Sequence, residues 1–243
     1  MTIELDPSRF DAVVFDMDGV ITDTAGVHRA AWQRMFDRFL TGRSLPPFST
    51  TDYLRYVDGR PRPDGVARFL QSRDVTLPMG TPDDPPEVET VWGLANRKNL
   101  DFLRTISETP ASAFPSSVAL VRELQTRGLG TAVISASRNA ARILESAGIG
   151  RLFPVCVDGI ELERLGLPGK PAPDIFIEAA RRLGSTPARA IVVEDAIAGV
   201  EAGRKGHFAL VIGVDRGEHA DELRSHGADV VVGDLADVTV LAS

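Results

Sequence analysis

The sequence has little cysteine, no long apolar run and no basic leader. Cys156 is the only cysteine among 243 residues, which excludes an intramolecular disulfide and a cysteine zinc site and favours a reducing, cytoplasmic setting. No apolar run approaches the roughly 18 residues of a membrane-spanning helix. Residues 1–10 carry acids and a proline where a signal peptide has a basic segment followed by an apolar one. We therefore expect no membrane partner.

The sequence also has fewer basic than acidic residues. The 27 basic residues are outnumbered by 34 acidic ones, and the net charge is −7. A nucleic-acid surface gains its affinity mostly by neutralising phosphates, so we expect no nucleic-acid partner. A small anionic substrate is compatible with this balance, because a few basic residues can be placed locally. With 43% hydrophobic and 25% charged residues, the composition is that of an ordinary globular chain.

Short β-branched runs alternate with helical patterns in the second half of the chain. One buried run lies near the N-terminus, and the complete set comprises residues 12–15, 131–135, 155–157, 190–193, 209–214 and 229–232. Apolar strands separated by helices indicate a parallel sheet that is covered on both faces. We therefore predict an α/β fold with a Rossmann-like parallel sheet core formed by residues 1–23 and 109–243.

Residues 24–108 show helical periodicity and no convincing strand. Apolar residues at offsets of 0, 3, 4, 7 and 8 from Trp32 predict one amphipathic helix, and a similar set from Val88 to Ala95 predicts another. Prolines at 46–47 and between 77 and 86 divide the region into separate helices. The simplest architecture is a helical cap inserted after the first strand of the core.

Two acidic pairs directly follow apolar strands. Asp16 and Asp18 follow the run 12–15, and Glu194 with Asp195 follows the run 190–193. Each pair alone is more often a solvated strand end, but ligands of parallel sheets gather at the carboxyl ends of strands. Two like charges about 4 Å apart repel by about 4 kcal/mol at an effective dielectric near 20. A divalent cation would offset that cost, and an all-oxygen ligand set favours Mg²⁺.

Two further segments carry groups that suit an anion. Ser135, Ser137 and Asn139 lie where a strand turns into a helix, so hydroxyls and backbone amides are available there. Serine and asparagine are also common helix caps, which is the alternative interpretation. Lys170 lies in a loop with two following prolines, where a solvated surface lysine is the ordinary expectation.

These four segments, in this order over the whole chain, resemble the haloacid dehalogenase superfamily of phosphoryl-transfer enzymes. The resemblance implies that Asp16 is the nucleophile that forms an aspartyl-phosphate, and that Asp18 is the general acid/base. It also implies that Ser135 hydrogen-bonds the phosphoryl group and that Lys170 neutralises it. The metal ligands implied for Mg²⁺ are Asp16, Asp18 (through its carbonyl), Glu194 and Asp195. In-line phosphoryl transfer needs a cation, positioned donors and an acid for the leaving oxygen.

A finer resemblance is to the β-phosphoglucomutase family, carried by residues 22–32, 59–62, 97–99, 135–139 and 170–176. It implies a small phosphorylated sugar as the partner, namely β-glucose 1-phosphate, converted to glucose 6-phosphate through glucose 1,6-bisphosphate. The implied substrate-binding residues are Thr24, His28, Trp32, Arg62, Lys98, Ser137, Arg138 and Asn139. We expect the protein to act as a monomer.

Several alternatives stay open at this point. Arg62 and Arg138 are expected to hold a second phosphate but could be ordinary surface arginines, and His28 could be a plain helix histidine. A sugar-phosphate phosphatase forms the same aspartyl-phosphate and differs only in using water as the acceptor. Two other classes fit the sequence less well. A receiver domain is about half as long and carries its acidic pair early, and a non-catalytic phosphate-binding protein would show a broken motif, whereas all four motifs look intact.

Overall fold

The computed structural model describes residues 3–216 and 219–241. The chain divides into two compact units: a core unit formed by Met1–Asp23 and Ala111–Ser243, and a helical unit formed by Thr24–Pro110. The second boundary was expected after residue 108. It lies two residues later because the last helix of the helical unit runs to Glu108 and is followed by its C-cap, Thr109.

The helical unit contains no strand, and the structure describes every one of its residues. Its elements are α1 (Ala25–Leu40), α2 (Thr50–Asp52), a π-helical turn (Tyr53–Val57), α3 (Arg62–Gln71) and α4 (Val91–Glu108). The predicted apolar face of α1 is confirmed, since its five members are buried: Trp32, Met35, Phe36, Phe39 and Leu40. Fully burying a large apolar side chain stabilises a fold by about 1.5–3 kcal/mol, so this face is a major part of the unit's core.

The start of α4 was predicted too early. Val88 is 42% exposed and precedes Thr90, the N-cap whose side chain accepts a hydrogen bond from the backbone N–H of Gly93. A Cβ on Gly93 would lie 2.1 Å from the Val88 carbonyl oxygen. The chain therefore folds back tightly before α4, which takes Val88 out of the helix and off its buried face.

The core unit alternates strands with helices. Its strands are β1 (Ile3–Leu5), β2 (Ala12–Asp16), β3 (Gly130–Ile134), β4 (Val155–Val157), β5 (Ala190–Glu194), β6 (Leu210–Val214), β7 (Val230–Val232) and β8 (Val238–Val240). Its helices are α5 (Pro115–Thr126), α6 (Ala140–Ser146), α7 (Gly159–Leu165), α8 (Asp174–Arg182), α9 (Ile197–Lys205) and α10 (Ala220–His226), with 3₁₀ turns at Pro187–Arg189 and Leu235–Asp237.

Six of the strands form one sheet in the order β4-β3-β2-β5-β6-β7, and every pairing in it is parallel. The predicted α/β fold is therefore confirmed. β2 lies near the centre, fully buried, with Asp16 in register with Ile134 of β3. β1 and β8 pair with each other as a separate parallel ribbon, which was not predicted. The carboxyl ends of β2, β3, β5 and β6 share one edge of the sheet, and that edge carries the site.

None of the described helices is long and apolar enough to cross a bilayer.

Candidate active site

The loop after β2 is folded tightly around its own backbone. The N–H groups of Ile21 and Thr22 both donate to the Met17 carbonyl, at 2.9 and 2.8 Å, and the N–H of Gly19 donates to the Thr22 carbonyl at 2.8 Å. Gly19 has a φ of 84°, and a Cβ there would lie 1.8 Å from Oδ2 of Asp195. Glycine is therefore required both by the left-handed backbone and by the close approach of the loop after β5.

Lys170 joins two of the predicted acids. Its Nζ donates to Oδ1 of Asp16 at 2.5 Å and to Oε1 of Glu194. The other oxygen of Glu194 accepts from the backbone N–H of Ala196 at 2.6 Å. Lys170 is 2% exposed, so the alternative of a solvated loop lysine is wrong. The ends of β2 and β5 are thus held together by one buried ammonium.

Burial dominates the electrostatics of this cluster. It raises the pKa of the Asp16 carboxyl well above its usual range; the charge of Lys170 opposes this rise, and those of Glu194 and Asp18 add to it. Burial alone would lower the pKa of Lys170, but the carboxylates of Asp16 and Glu194 outweigh it, so that pKa is raised and the amine stays protonated. The cluster holds more potential negative charge than one ammonium neutralises, a situation that a divalent cation relieves.

Ser135 brings the third strand end to the same place. It directly follows β3, and its Oγ donates to Oδ2 of Asp18 at 3.1 Å while accepting from the Ser137 N–H at 3.0 Å. The Ser137 hydroxyl in turn accepts from the N–H of Asn139, the N-cap of α6, at 3.1 Å. Successive hydroxyls therefore shape this turn. The predicted general acid/base, Asp18, lies beside Ser135, the residue predicted to hydrogen-bond the phosphoryl group.

Arg138 makes an ion pair of its own. Its Nη1 lies 3.3 Å from Oε2 of Glu163, and both side chains are partly exposed, at 40% and 53%. Exposed pairs of this kind contribute about 0–1 kcal/mol. Arg138 can therefore leave Glu163 and bind a phosphate at little cost in free energy.

Three of the predicted substrate-binding residues come together within the helical unit. Nζ of Lys98 lies 2.7 Å from Nδ1 of His28 and 5.2 Å from the centre of the Trp32 ring. The rings of His28 and Phe102 are 4.1 Å apart. Lys98 is 1% exposed, so a cation is buried among aromatic faces, which favour positive charge.

The two remaining predicted residues of the helical unit have structural contacts. Arg62 is the first residue of α3, and its Nη1 donates to the carbonyl of Ala95 in α4 at 3.0 Å. Thr24 is fully buried, and its carbonyl accepts from the N–H of His28 at 2.9 Å. Arg62 is thus held at the junction of α3 and α4.

The end of β6 contributes two residues that were not predicted. His219 is buried with Nε2 3.0 Å from the carbonyl oxygen of Asp195, and Nε of Arg216 donates to the carbonyl of Gly19 at 3.2 Å. Neither belongs to a recognisable motif. Their one sequence signal is their place just after a buried strand of the parallel sheet.

The donors at this edge suit magnesium in kind. Asp16, Glu194 and Asp195 offer carboxylate oxygens, and Mg²⁺ prefers oxygen ligands. Within residues 3–216 and 219–241, no three Asp, Glu, His or Cys side chains converge as a preformed metal site. Lys170 lies between Asp16 and Glu194 instead. The fit to Mg²⁺ therefore rests on the chemistry and surplus charge of the donor set.

Comparison with known proteins agrees with this geometry. Residues 10–207 match the haloacid dehalogenase-like hydrolase family. The chain is 46% identical over 242 residues to a β-phosphoglucomutase of Mycobacterium bovis, covering 96% of this chain and 92% of that protein. It is 34% identical over 231 residues to the β-phosphoglucomutase of Bacillus subtilis, covering 94% and 92%. A crystal structure of β-phosphoglucomutase from Clostridium difficile is similar with a TM-score of 0.74 at 25% identity, over 93% of this chain and 92% of that one.

Proposed function

Because the chain belongs to the haloacid dehalogenase superfamily and, within it, to the β-phosphoglucomutase family, we propose that it interconverts β-glucose 1-phosphate and glucose 6-phosphate. The observation that carries this proposal is the meeting of two pairs at one sheet edge. Asp16 is paired with Lys170, and Asp18 with Ser135. A nucleophile beside a cation and an acid/base beside a hydroxyl are the groups that phosphoryl transfer requires.

The proposed cycle starts from the enzyme phosphorylated on Asp16. The 6-hydroxyl of β-glucose 1-phosphate attacks that phosphorus, its proton passes to Asp18, and the bond between phosphorus and the Asp16 oxygen breaks. The glucose 1,6-bisphosphate so formed reorients. Asp16 then attacks the phosphorus at position 1, and Asp18 returns the proton to the departing sugar oxygen, which releases glucose 6-phosphate and restores the phosphoenzyme.

The surrounding residues stabilise charge during these transfers. Lys170 and the hydroxyl of Ser135 are proposed to bind the phosphoryl oxygens, which gain charge as the group moves. Mg²⁺, held by Asp16, the Asp18 carbonyl, Glu194 and Asp195, would supply further charge neutralisation when bound. The buried setting strengthens each of these interactions, because the local dielectric is lower than that of water.

The remaining predicted residues are proposed to bind the rest of the substrate. Arg62, with Ser137, Arg138 and Asn139, would hold the phosphate that is not reacting, since a guanidinium forms bidentate hydrogen bonds with a dianion. Thr24, His28, Trp32 and Lys98 would contact the sugar. The protein is proposed to act as a monomer. A reducing cytoplasm is the simplest compartment for a chain with one cysteine.

A sugar-phosphate phosphatase is the second candidate, favoured by the hydrolase description of the matching family. NMR separates the two. β-Glucose 1-phosphate is incubated with enzyme, Mg²⁺ and a trace of glucose 1,6-bisphosphate, while the ¹H and ³¹P spectra are followed. A mutase produces glucose 6-phosphate without net release of inorganic phosphate. If inorganic phosphate accumulates at the rate at which substrate is lost, the protein is a phosphatase and the proposed mutase function is wrong.

A further inference from the structure

A segment outside the predicted motifs contacts both acidic loops. It follows β6, and its relevant members are Asp215, Arg216 and His219. Arg216 contacts the loop after β2 through the Gly19 carbonyl, and His219 contacts the loop after β5 through the Asp195 carbonyl. One short stretch of chain therefore reaches the backbone of both loops that carry the predicted metal ligands.

His219 forms one hydrogen bond through its ring and one through its backbone. A carbonyl oxygen only accepts hydrogen bonds, so Nε2, 3.0 Å from the Asp195 carbonyl oxygen, carries a proton. Nδ1 lies 3.3 Å from Oδ1 of Asp215, and the same Oδ1 accepts from the backbone N–H of His219 at 3.1 Å. His219 is 9% exposed. Asp215 thus fixes the backbone of His219. The hydrogen bond from Nε2 to the Asp195 carbonyl orients the ring, since Nδ1 forms no hydrogen bond with any described residue.

Arg216 is held by independent contacts. Its guanidinium stacks 3.9 Å from the centre of the Phe114 ring. Nη1 donates to Oδ2 of Asp234 at 2.9 Å and to the carbonyl of Gly233 at 3.4 Å. These contacts leave Nε directed at the carbonyl of Gly19. The Arg216 side chain therefore connects the segment after β6 to the loop after β2 in a fixed conformation.

Arg216 and His219 contact the two residues, Gly19 and Asp195, at which the acidic loops approach each other closely. Oδ2 of Asp195 would lie 1.8 Å from a Cβ on Gly19, so the Asp195 carboxylate lies directly against the Gly19 backbone. Arg216 holds the Gly19 side of this contact and His219 holds the Asp195 side. A shift of either carbonyl changes the distance between the Asp195 carboxylate and the loop that carries Asp16.

We propose that Arg216 and His219 are positioning residues that fix the spacing of these two loops and thereby set the affinity of the acidic cluster for a divalent cation. The inference rests on the proposed function insofar as that function assigns a cation to these acids. Residues that hydrogen-bond to metal-binding elements without touching the metal typically change affinity or activity by about 10–100-fold when removed.

The test measures Mn²⁺ binding directly, from the electron paramagnetic resonance signal of the free ion in the presence of the protein and no sugar phosphate. His219→Ala is expected to raise the Kd for Mn²⁺ by about tenfold or more. His219→Gln keeps an N–H donor and should stay close to wild type. His226→Ala is the matched control, because His226 is an exposed histidine at the end of α10 whose Nδ1 lies by the Glu222 carbonyl.

Arg216→Lys gives a second, independent reading. It keeps the positive charge beside Phe114 and Asp234 but removes the Nε donor to Gly19, and it should weaken Mn²⁺ binding in the same direction. For both residues, saturating Mg²⁺ should restore most of kcat, because the reacting groups are unchanged. If His219→Ala does not fold, as judged by circular dichroism, Arg216→Lys decides alone.

The proposal is overturned if folded His219→Ala and Arg216→Lys bind Mn²⁺ within about twofold of wild type, well short of the effect expected for such contacts. This outcome is separate from the fate of the proposed function. Metal binding is measured without any sugar, so a protein that fails to convert β-glucose 1-phosphate still yields a Kd for each variant.

Discussion

Lys170 donates a hydrogen bond to Asp16 across 2.5 Å, and both side chains are buried. The pair places an ammonium at the carboxylate that is proposed to receive the phosphoryl group. A dianionic phosphate approaching Asp16 would otherwise meet a cluster of carboxylates. The ammonium of Lys170 thus offsets the repulsion that the neighbouring carboxylates would exert on an incoming phosphate.

Replacing Asp16 should abolish turnover without loss of the fold. Asp16→Asn is expected to melt at the same or a higher temperature at pH 7, because a raised pKa means that the ionised carboxylate is less favourable in the folded chain than in the unfolded one. The difference should vanish below the ordinary pKa of 3.8, where the carboxyl is protonated in both states. Melting curves and steady-state assays test this, and Asp16→Ala retaining about a tenth of wild-type turnover would contradict a covalent role for Asp16.

Removing Lys170 should destabilise the metal-free protein. Lys170→Met leaves Asp16 and Glu194 buried without their cation, and breaking a buried pair in this way costs about 3–5 kcal/mol. Urea unfolding in EDTA gives the difference in free energy. Lys205→Met is the control, since Lys205 is exposed and pairs with Glu201 at 3.0 Å, a contact worth about 1 kcal/mol or less. Equal losses in the two variants would show that burial of Lys170 has no energetic consequence.

Arg62 should matter for one reaction and not for another. Arg62→Ala removes a charge-assisted contact of about 1.5–3 kcal/mol to the second phosphate, or roughly ten- to hundredfold in mutase rate. Hydrolysis of acetyl phosphate, which has no second phosphate, should change far less. Arg62→Lys should keep part of the activity, because an ammonium offers no bidentate fork. Arg68→Ala, an exposed residue of the same helix, is the control; equal loss on both substrates in Arg62→Ala would favour the phosphatase.

Helix α8 should lose stability in acid. Hydrogen bonds from Arg181 and then Arg182 hold the pKa of Glu178 at about 2, below its ordinary 4.5. A depressed pKa contributes stability that is fully present above pH 4.5 and is lost as the pH falls toward 2. Glu178→Gln should therefore melt below wild type at pH 7, and the gap should close over that window. Thermal melts that show a constant difference in melting temperature between the two proteins from pH 7 to pH 2.5 would contradict a lowered pKa for Glu178.

Apolar runs made most of the sheet predictable. β4 begins and ends where the sequence pattern places it, and the predicted strands at 12–15 and 190–193 are each extended by one acid, Asp16 and Glu194. Fully buried parallel strands read as continuous apolar segments, which is why these succeeded. β1 and β8 have three residues each and pair from opposite ends of the chain. Such short, distant segments show no local sequence pattern that would predict them.

The site was predictable by residue type and less so by contact. The acids of β2 and β5 follow from their strand ends, whereas the hydrogen bond from Ser135 to Asp18 depends on the packing of separate loops. A lone histidine or arginine such as His219 has no periodicity or spacing to mark it. Val88 shows the converse failure: its spacing fits a helix, but the N-cap signal of Thr90 outweighs spacing.

The central position of β2 has a consequence for synthesis of the chain. β2 ends at Asp16, while its partners β3 and β5 begin at Gly130 and Ala190. A ribosome adding about 5–20 residues per second needs roughly 10 to 35 seconds to complete β5 after β2. During that time the contiguous helical unit can fold, but β2 waits with unpaired edges and an apolar surface. We expect the nascent segment around residues 12–16 to be a target of chaperones until β5 emerges.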